Sequence, residues 1–231
     1  MRELAFTNAA APQKNQLDTK AESNLTFEAK SAVIATIAHV VTASKQVLDD
    51  QQGLQAYIEQ RLRYGLDLAT EDKLLNGDGS EGDIGGLMLA ANHTAFVSAG
   101  LGKTTQLDYL RRAKTQLQKS FFIPGALIIN PTDAESIDLL RDNEGRFLVA
   151  PGSPIWGMAP VVTEAIAEGS FIVADFLNSA TIWDREQASL QLGYANDNLI
   201  KNAVTLLVER RLQMSVTRPA GIIVGQFAAA A

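Results

Sequence analysis

The sequence predicts an α+β fold, and three features of it carry that expectation. From Ser31 to Thr42 the side chains are β-branched or small and alternate in polarity, as in a strand with one covered face. After Gly53 the apolar positions Leu54, Tyr57, Ile58, Leu62, Leu66 and Ala69 recur at helical spacing. Beyond Gly79 short apolar runs alternate with Gly and Pro, which predicts a separate lobe of short helices and strands.

Taken in order, residues Met1 to about Lys30 are polar, with Leu4, Phe6, Leu17, Leu25 and Phe27 as apolar anchors, and read as an extended arm. In the strand that follows, Val33, Ala35, Ile37 and Val41 share one face, and His39 falls on it as a satisfied, half-buried side chain. Ser44 offers a helix cap. The long helix continues to Leu75, about 22 residues and roughly 33 Å at 1.5 Å per residue. Asn76-Gly77-Asp78-Gly79 ends it, because Gly and Asn tolerate the positive φ of helix termini and tight turns.

Further on, Gln106 to Leu117 predicts a helix and Ala126 to Ile129 a buried strand. Asn130-Pro131-Thr132 opens another helix, with Thr132 and Glu135 spaced as a capping box, and this helix stops near Asn143-Glu144-Gly145. Val161-Val162, Phe171-Ile172-Val173 and Thr181-Ile182-Trp183 are strand candidates. Asn202 to Leu212 suits strand or helix, and Gly221 to Val224 closes the chain as a strand.

Composition excludes several classes of function. The 231 residues are 46% hydrophobic and 20% charged, an ordinary globular balance. A formal charge of −6 provides no basic field for binding nucleic acid through its phosphates. The chain has no cysteine, so disulfides, thiolate catalysis and Cys-based zinc sites are out. The most apolar stretch, Val33 to Val41, is far shorter than the roughly 20 residues of a membrane span. The N-terminus lacks the pattern of a signal peptide, so synthesis in the cytoplasm is expected.

Two local patterns invite chemistry and are better read as structure. Gly100-Leu101-Gly102-Lys103-Thr104 resembles the end of a phosphate-binding loop, but the Gly required five residues before Gly102 is Val97. A loop entering a helix is the simpler reading, with a nucleotide-dependent enzyme built on Lys103 as the reading from another class. Asn76 to Glu81 carries oxygen ligands among glycines, yet its spacing does not match a twelve-residue calcium loop, so a turn is expected. His39 and His93, the only histidines, form no metal-binding pair. No cofactor and no metal are expected.

In order along the chain, Thr36-Ile37-Ala38-His39, Ala43 to Asp50, Leu74 to Gly79, Leu139 to Arg146, Trp183-Asp184-Arg185, Lys201-Asn202 and Glu209 to Leu212 resemble the major capsid proteins of tailed bacteriophages of the Hong Kong 97 type, in the chainmail-forming branch. The resemblance covers nearly the whole chain. It implies an extended loop over 1–30, a peripheral domain with strand and spine helix over 31–75, an axial domain over 76–180, a peripheral return over 181–211 and an axial C-terminal strand over 212–231. It also implies an arm, and often a protease-removed scaffolding segment, ahead of the loop, whereas Met1 falls inside the loop. The expected function is a shell subunit of a phage or prophage, self-assembling into pentamers and hexamers. Its expected partners are copies of itself, a portal and a prohead protease, with no sequence-specific nucleic acid and no membrane. The expected place is the virion, after assembly in the host bacterial cytoplasm. An encapsulin-like nanocompartment shell shares this architecture and stays open.

In chainmail-forming members a lysine and an asparagine of neighbouring subunits join through an isopeptide bond with a glutamate as catalyst. The resemblance carries these roles to Lys20, Asn202 and Glu209, with Leu207 as an apolar pocket residue. A lysine near its reference pKa of about 10.4 is protonated and cannot attack, so a dry enclosure must favour the neutral amine. Glu209 would accept the proton as general base. The sequence departs from the family at Lys14 and Glu186, charges at positions expected to be apolar, which would hold water and favour the ammonium. Lys20 as a solvated charge, with Asn202 and Glu209 as polar packing residues, stays open as the alternative.

Overall fold

The computed structural model describes residues 2–13, 19–29, 32–51, 53–101, 105–150 and 152–227. Strand β1 (Arg2–Thr7) pairs antiparallel with β2 (Asn24–Glu28), and every residue of β2 is exposed. The extended arm of the sequence reading is therefore a two-stranded ribbon at its ends. Its anchor Leu17 and its boundary at Lys30 lie outside the described residues.

A three-stranded sheet carries the long helix. Strand β3 (Ala35–Ser44) lies antiparallel to β9 (Ala203–Val216), whose other side pairs with β8 (Ala180–Gly193). The run from Asn202 that suited either state is thus a strand. Its alternation decides the matter: Leu206 and Val208 are buried against Leu62 and Leu66 of the helix, while Leu207 and Glu209 take the opposite face. Each such buried leucine or valine contributes about 1.5–3 kcal/mol relative to exposure.

That helix, α2 (Leu54–Asn76), has 23 residues, as the periodicity predicts. Ser44 does not begin it but caps a separate short helix, α1 (Lys45–Asp50), without a side-chain hydrogen bond. Gly53, at φ 97°, separates the two. At the far end Gly77 has φ −54°, so it is not a left-handed terminator. It is glycine because a Cβ there would overlap the Ile84 carbonyl oxygen, and only Gly79, at φ 70°, fills the positive-φ role. His39 faces the helix as expected, its Nδ1 3.0 Å from where a Cβ of Gly65 would stand. The ring is exposed rather than half-buried and makes no hydrogen bond among the described residues, since Gly65 offers nothing to cover it.

The second lobe is a five-stranded sheet in the order β4 (Thr94–Ala95), β10 (Ile222–Gln226), β7 (Ser170–Ala174), β5 (Ala126–Ile129), β6 (Ala159–Val162). Both faces of its centre are covered. Leu127, Ile129, Phe171, Val173 and Ile223 pack with Leu110, Ala113 and Leu117 of α3 (Gln106–Lys119). Ile128, Ile172, Ala174 and Ile222 pack on the other side with Leu75, Ile84, Leu212 and Met214. Continuous apolar strands follow from two-sided burial.

Helix α4 (Pro131–Asp138) begins without the expected box of Thr132 and Glu135: Asn130 is the cap, accepting from Thr132 N at 3.0 Å, with Pro131 in the first turn. A capping box does form at α3, between Thr105 and Asp108. Helix α4 also ends at Asp138, short of Asn143, because the Asp142 carboxylate takes the Glu144 and Arg146 amides at 2.9 Å each and turns the chain. A short helix, α5 (Phe176–Ser179), leads from β7 into β8. Among the described residues no helix is long and apolar enough to cross a membrane.

Candidate functional site

Strand β9 positions two of the four candidate residues. With the even-numbered Leu206 and Val208 held against α2, Leu207 and Glu209 stand two residues apart on the outward face, both half-buried. Opposite Glu209 are Ala38 on β3 and Ser189 on β8; opposite Leu207 are Val40 and Gln191. The Gln191 Nε2 donates to Glu209 Oε1 at 3.4 Å, a long bond. Only the pairing register of β8 with β9 reveals Gln191 as a neighbour of the carboxylate, and a single sequence holds no signal for that register.

Asn202 sits just before β9, in the turn that joins it to β8. Its φ of 49° is left-handed, a conformation that asparagine tolerates better than most side chains. The turn is held by main chain: Asn202 O accepts from Lys45 N at 2.8 Å, and Lys201 N donates to Asp197 O at 3.0 Å. Asn198 Nδ2 also donates to Thr205 Oγ1 at 2.6 Å. The Asn202 carboxamide itself is exposed and makes no hydrogen bond among the described residues.

An extended chain rises about 3.3 Å per residue, so Asn202 and Glu209 are separated by on the order of 20 Å along the strand. Lys20 lies elsewhere, exposed between β1 and β2, and among the described residues no hydrogen bond or ion pair joins it to the other three. Within one chain, then, the structure brings Leu207 and Glu209 together and leaves Lys20 and Asn202 apart from them and exposed. Glu186 is half-buried opposite Arg211, between two register shifts of β8. The nearby Ala188 carbonyl is taken by Arg63 Nη1 of α2 at 2.8 Å. Lys14 lies outside the described residues.

The other patterns resolve into structure where they are described. Asn76 to Glu81 is a turn in which Asp78 Oδ1 accepts from Ser80 N at 2.9 Å, a bond that holds the Asp78 carboxyl below its ordinary range. Lys73 Nζ, 2.8 Å from Asp83 Oδ2, is raised by that partner. Gly102, Lys103 and Thr104 lie outside the described residues. Among the described residues no group of three or more His, Asp or Glu side chains is placed to hold a metal ion.

Comparison with known proteins gives a consistent result. The model of the phage capsid family matches residues 1–227. The major capsid protein of Enterobacteria phage HK97 is 40% identical over 236 residues, a match covering 98% of this chain and 60% of that protein. The chain thus spans about 60% of the length of this curated relative. Among solved structures, the capsid of a native GTA particle aligns with a TM-score of 0.72 at 17% identity, covering 99% of this chain and 84% of that one. A structure from Gordonia phage Cozz aligns with a TM-score of 0.72 at 16% identity, covering 99% and 82%. These structural likenesses show the fold.

Proposed function

Because this chain belongs to the phage capsid family, we propose that it is a structural subunit of an icosahedral phage or prophage shell, built from pentamers and hexamers of identical copies. The single observation that carries this reading is the match along residues 1–227, supported by the 40% identity to a major capsid protein. On the same reading residues 1–30 are the extended loop, α2 is the spine of a peripheral domain, and the five-stranded lobe is the axial domain. A portal and a prohead protease are the further partners it implies, and host cytoplasm is the place of assembly. Electron microscopy of the full-length protein after expression is expected to show rings or closed shells; a protein that stays monomeric at every concentration would sink the proposal.

Within that reading the reaction of Lys20 with Asn202 runs between copies. The separation of on the order of 20 Å between Asn202 and Glu209 supports it, since no single chain unites the groups. The neutral Lys20 amine adds to the Asn202 side-chain carbonyl carbon while its proton passes to Glu209. The carbon to nitrogen bond of the carboxamide then breaks, and the departing nitrogen takes a proton and leaves as ammonia. Intersubunit enclosure has to exclude water despite Glu186, because only a neutral amine attacks. Boiling assembled shells in detergent is the test: a ladder of linked subunits is expected, and a single monomer band from mature shells would refute the cross-link alone.

A further inference from the structure

We infer that Phe121, Ile123 and Leu177 form a built docking surface for a second copy of this chain, distinct from the region of Lys20, Asn202 and Glu209. The inference rests on the shell-subunit reading and not on the cross-link. The three side chains are 97%, 79% and 93% exposed, in a protein whose neighbouring Phe122 is turned inward against Gly221. They are not on loose chain. The buried Asp175 carboxylate accepts from Ile123 N at 3.2 Å and from Asn178 Nδ2 at 2.9 Å, and so ties the segment after α3 to the segment that carries Leu177.

The backbone at Phe121 is the second observation. Its φ of 65° puts a bulky aromatic at the C-terminal position where helices favour glycine, and its N–H still closes the helix by donating to Gln118 O at 3.0 Å. Such strain persists where function needs it. Trp156 offers a contrast at φ 53°: its indole Nε1 donates to Leu107 O at 3.2 Å and its carbonyl accepts from Lys114, so its own chain repays the geometry. Phe121 has no such partner among the described residues; the strained turn only holds the ring in water.

Area and symmetry favour a second copy as the occupant. Three nearly uncovered large apolar side chains present on the order of 400 Å². That is about half of the roughly 800 Å² that each partner buries in a standard interface. A patch of this kind meeting a different surface of the next copy makes a head-to-tail contact, which closes into rings when the rotation is right.

Two variants of the full-length protein test this, Phe121→Gly and Leu177→Ser, each compared with the parent by thermal unfolding of the isolated subunit and by the concentration at which rings or shells form. Glycine relieves the left-handed strain, so Phe121→Gly is expected to leave the unfolding midpoint unchanged or raise it by a few degrees while the assembly concentration rises at least tenfold. Leu177→Ser, on a different element, is expected to shift assembly in the same direction with the midpoint unchanged. Assembly of both variants at the parental concentration overturns the inference and leaves the shell reading standing. A parent that never assembles overturns both. A lowered midpoint in both variants, or saturation of the patch by an unrelated protein in place of a second copy, also overturns the inference.

Discussion

Arg218 Nε lies 2.7 Å from Glu3 Oε2, an ion pair between residues 215 positions apart, and beside it Glu3 N donates to Thr217 O at 3.0 Å. These bonds fasten the root of the β1–β2 ribbon to the bend that follows β9, and β2 is exposed along its whole length.

Replacing Arg218 with alanine is expected to loosen the ribbon and leave the body intact. The guanidinium is half exposed, so the loss in global stability is at most about 1 kcal/mol. Hydrogen exchange should show faster exchange in residues 2–7 and 24–28 and unchanged protection in β9. Unaltered exchange in the ribbon would show that the ion pair does not hold it.

Gly77→Ala is expected to destabilise the subunit by roughly 1–3 kcal/mol, because the new Cβ would overlap the Ile84 carbonyl oxygen and backbone cannot step aside cheaply. Denaturant unfolding measures it. A change under about 0.5 kcal/mol, the range of an ordinary surface substitution, would mean that the close approach of the chain after α2 is wrong.

Glu209→Gln removes a base and keeps the shape. Among the described residues its carboxylate accepts only the 3.4 Å hydrogen bond from Gln191, so subunit stability should change by no more than about 0.5 kcal/mol. Linked species in boiled shells should disappear, as they should in Lys20→Arg. A ladder that persists in Glu209→Gln would remove this residue from the reaction.

Acid should open the turn at Asp142. Backbone and side-chain hydrogen bonds from Arg146, with a further bond from the Glu144 amide, hold this carboxyl below its ordinary value. A folded pKa below the unfolded one contributes stability above the ordinary aspartate range, and that contribution fades as pH falls through the folded value. Exchange of the Glu144 and Arg146 amides is therefore expected to stay slow through the ordinary aspartate range and to quicken below it. Quickening already at pH 6 would contradict the assignment.

Much of the fold was legible in the sequence. The helix over 54–76 and the strand over 126–129 follow from apolar spacing, because one covered stripe or two covered faces leave periodic marks. The start of α4 was misjudged because Asn130 and Thr132 are both competent caps, and only the bond from Thr132 N to Asn130 decides between them. The run after Asn202 stayed ambiguous because Leu207 adds an apolar side chain to the face opposite Leu206 and Val208, blurring the period. The candidate site was legible as a set of residue types by resemblance. Its distribution was not, since the length of β9 between Asn202 and Glu209 is a property of strand geometry that a helix would have halved.

The span of β9 would also govern the timing of the proposed reaction. Under the proposed cross-link, a newly made subunit holds its electrophile and its base on the order of 20 Å apart along the strand, so it stays inert alone. On that proposal, permanent joining becomes available only to a lattice whose members already stand in register, and misplaced neighbours remain free to dissociate and try again.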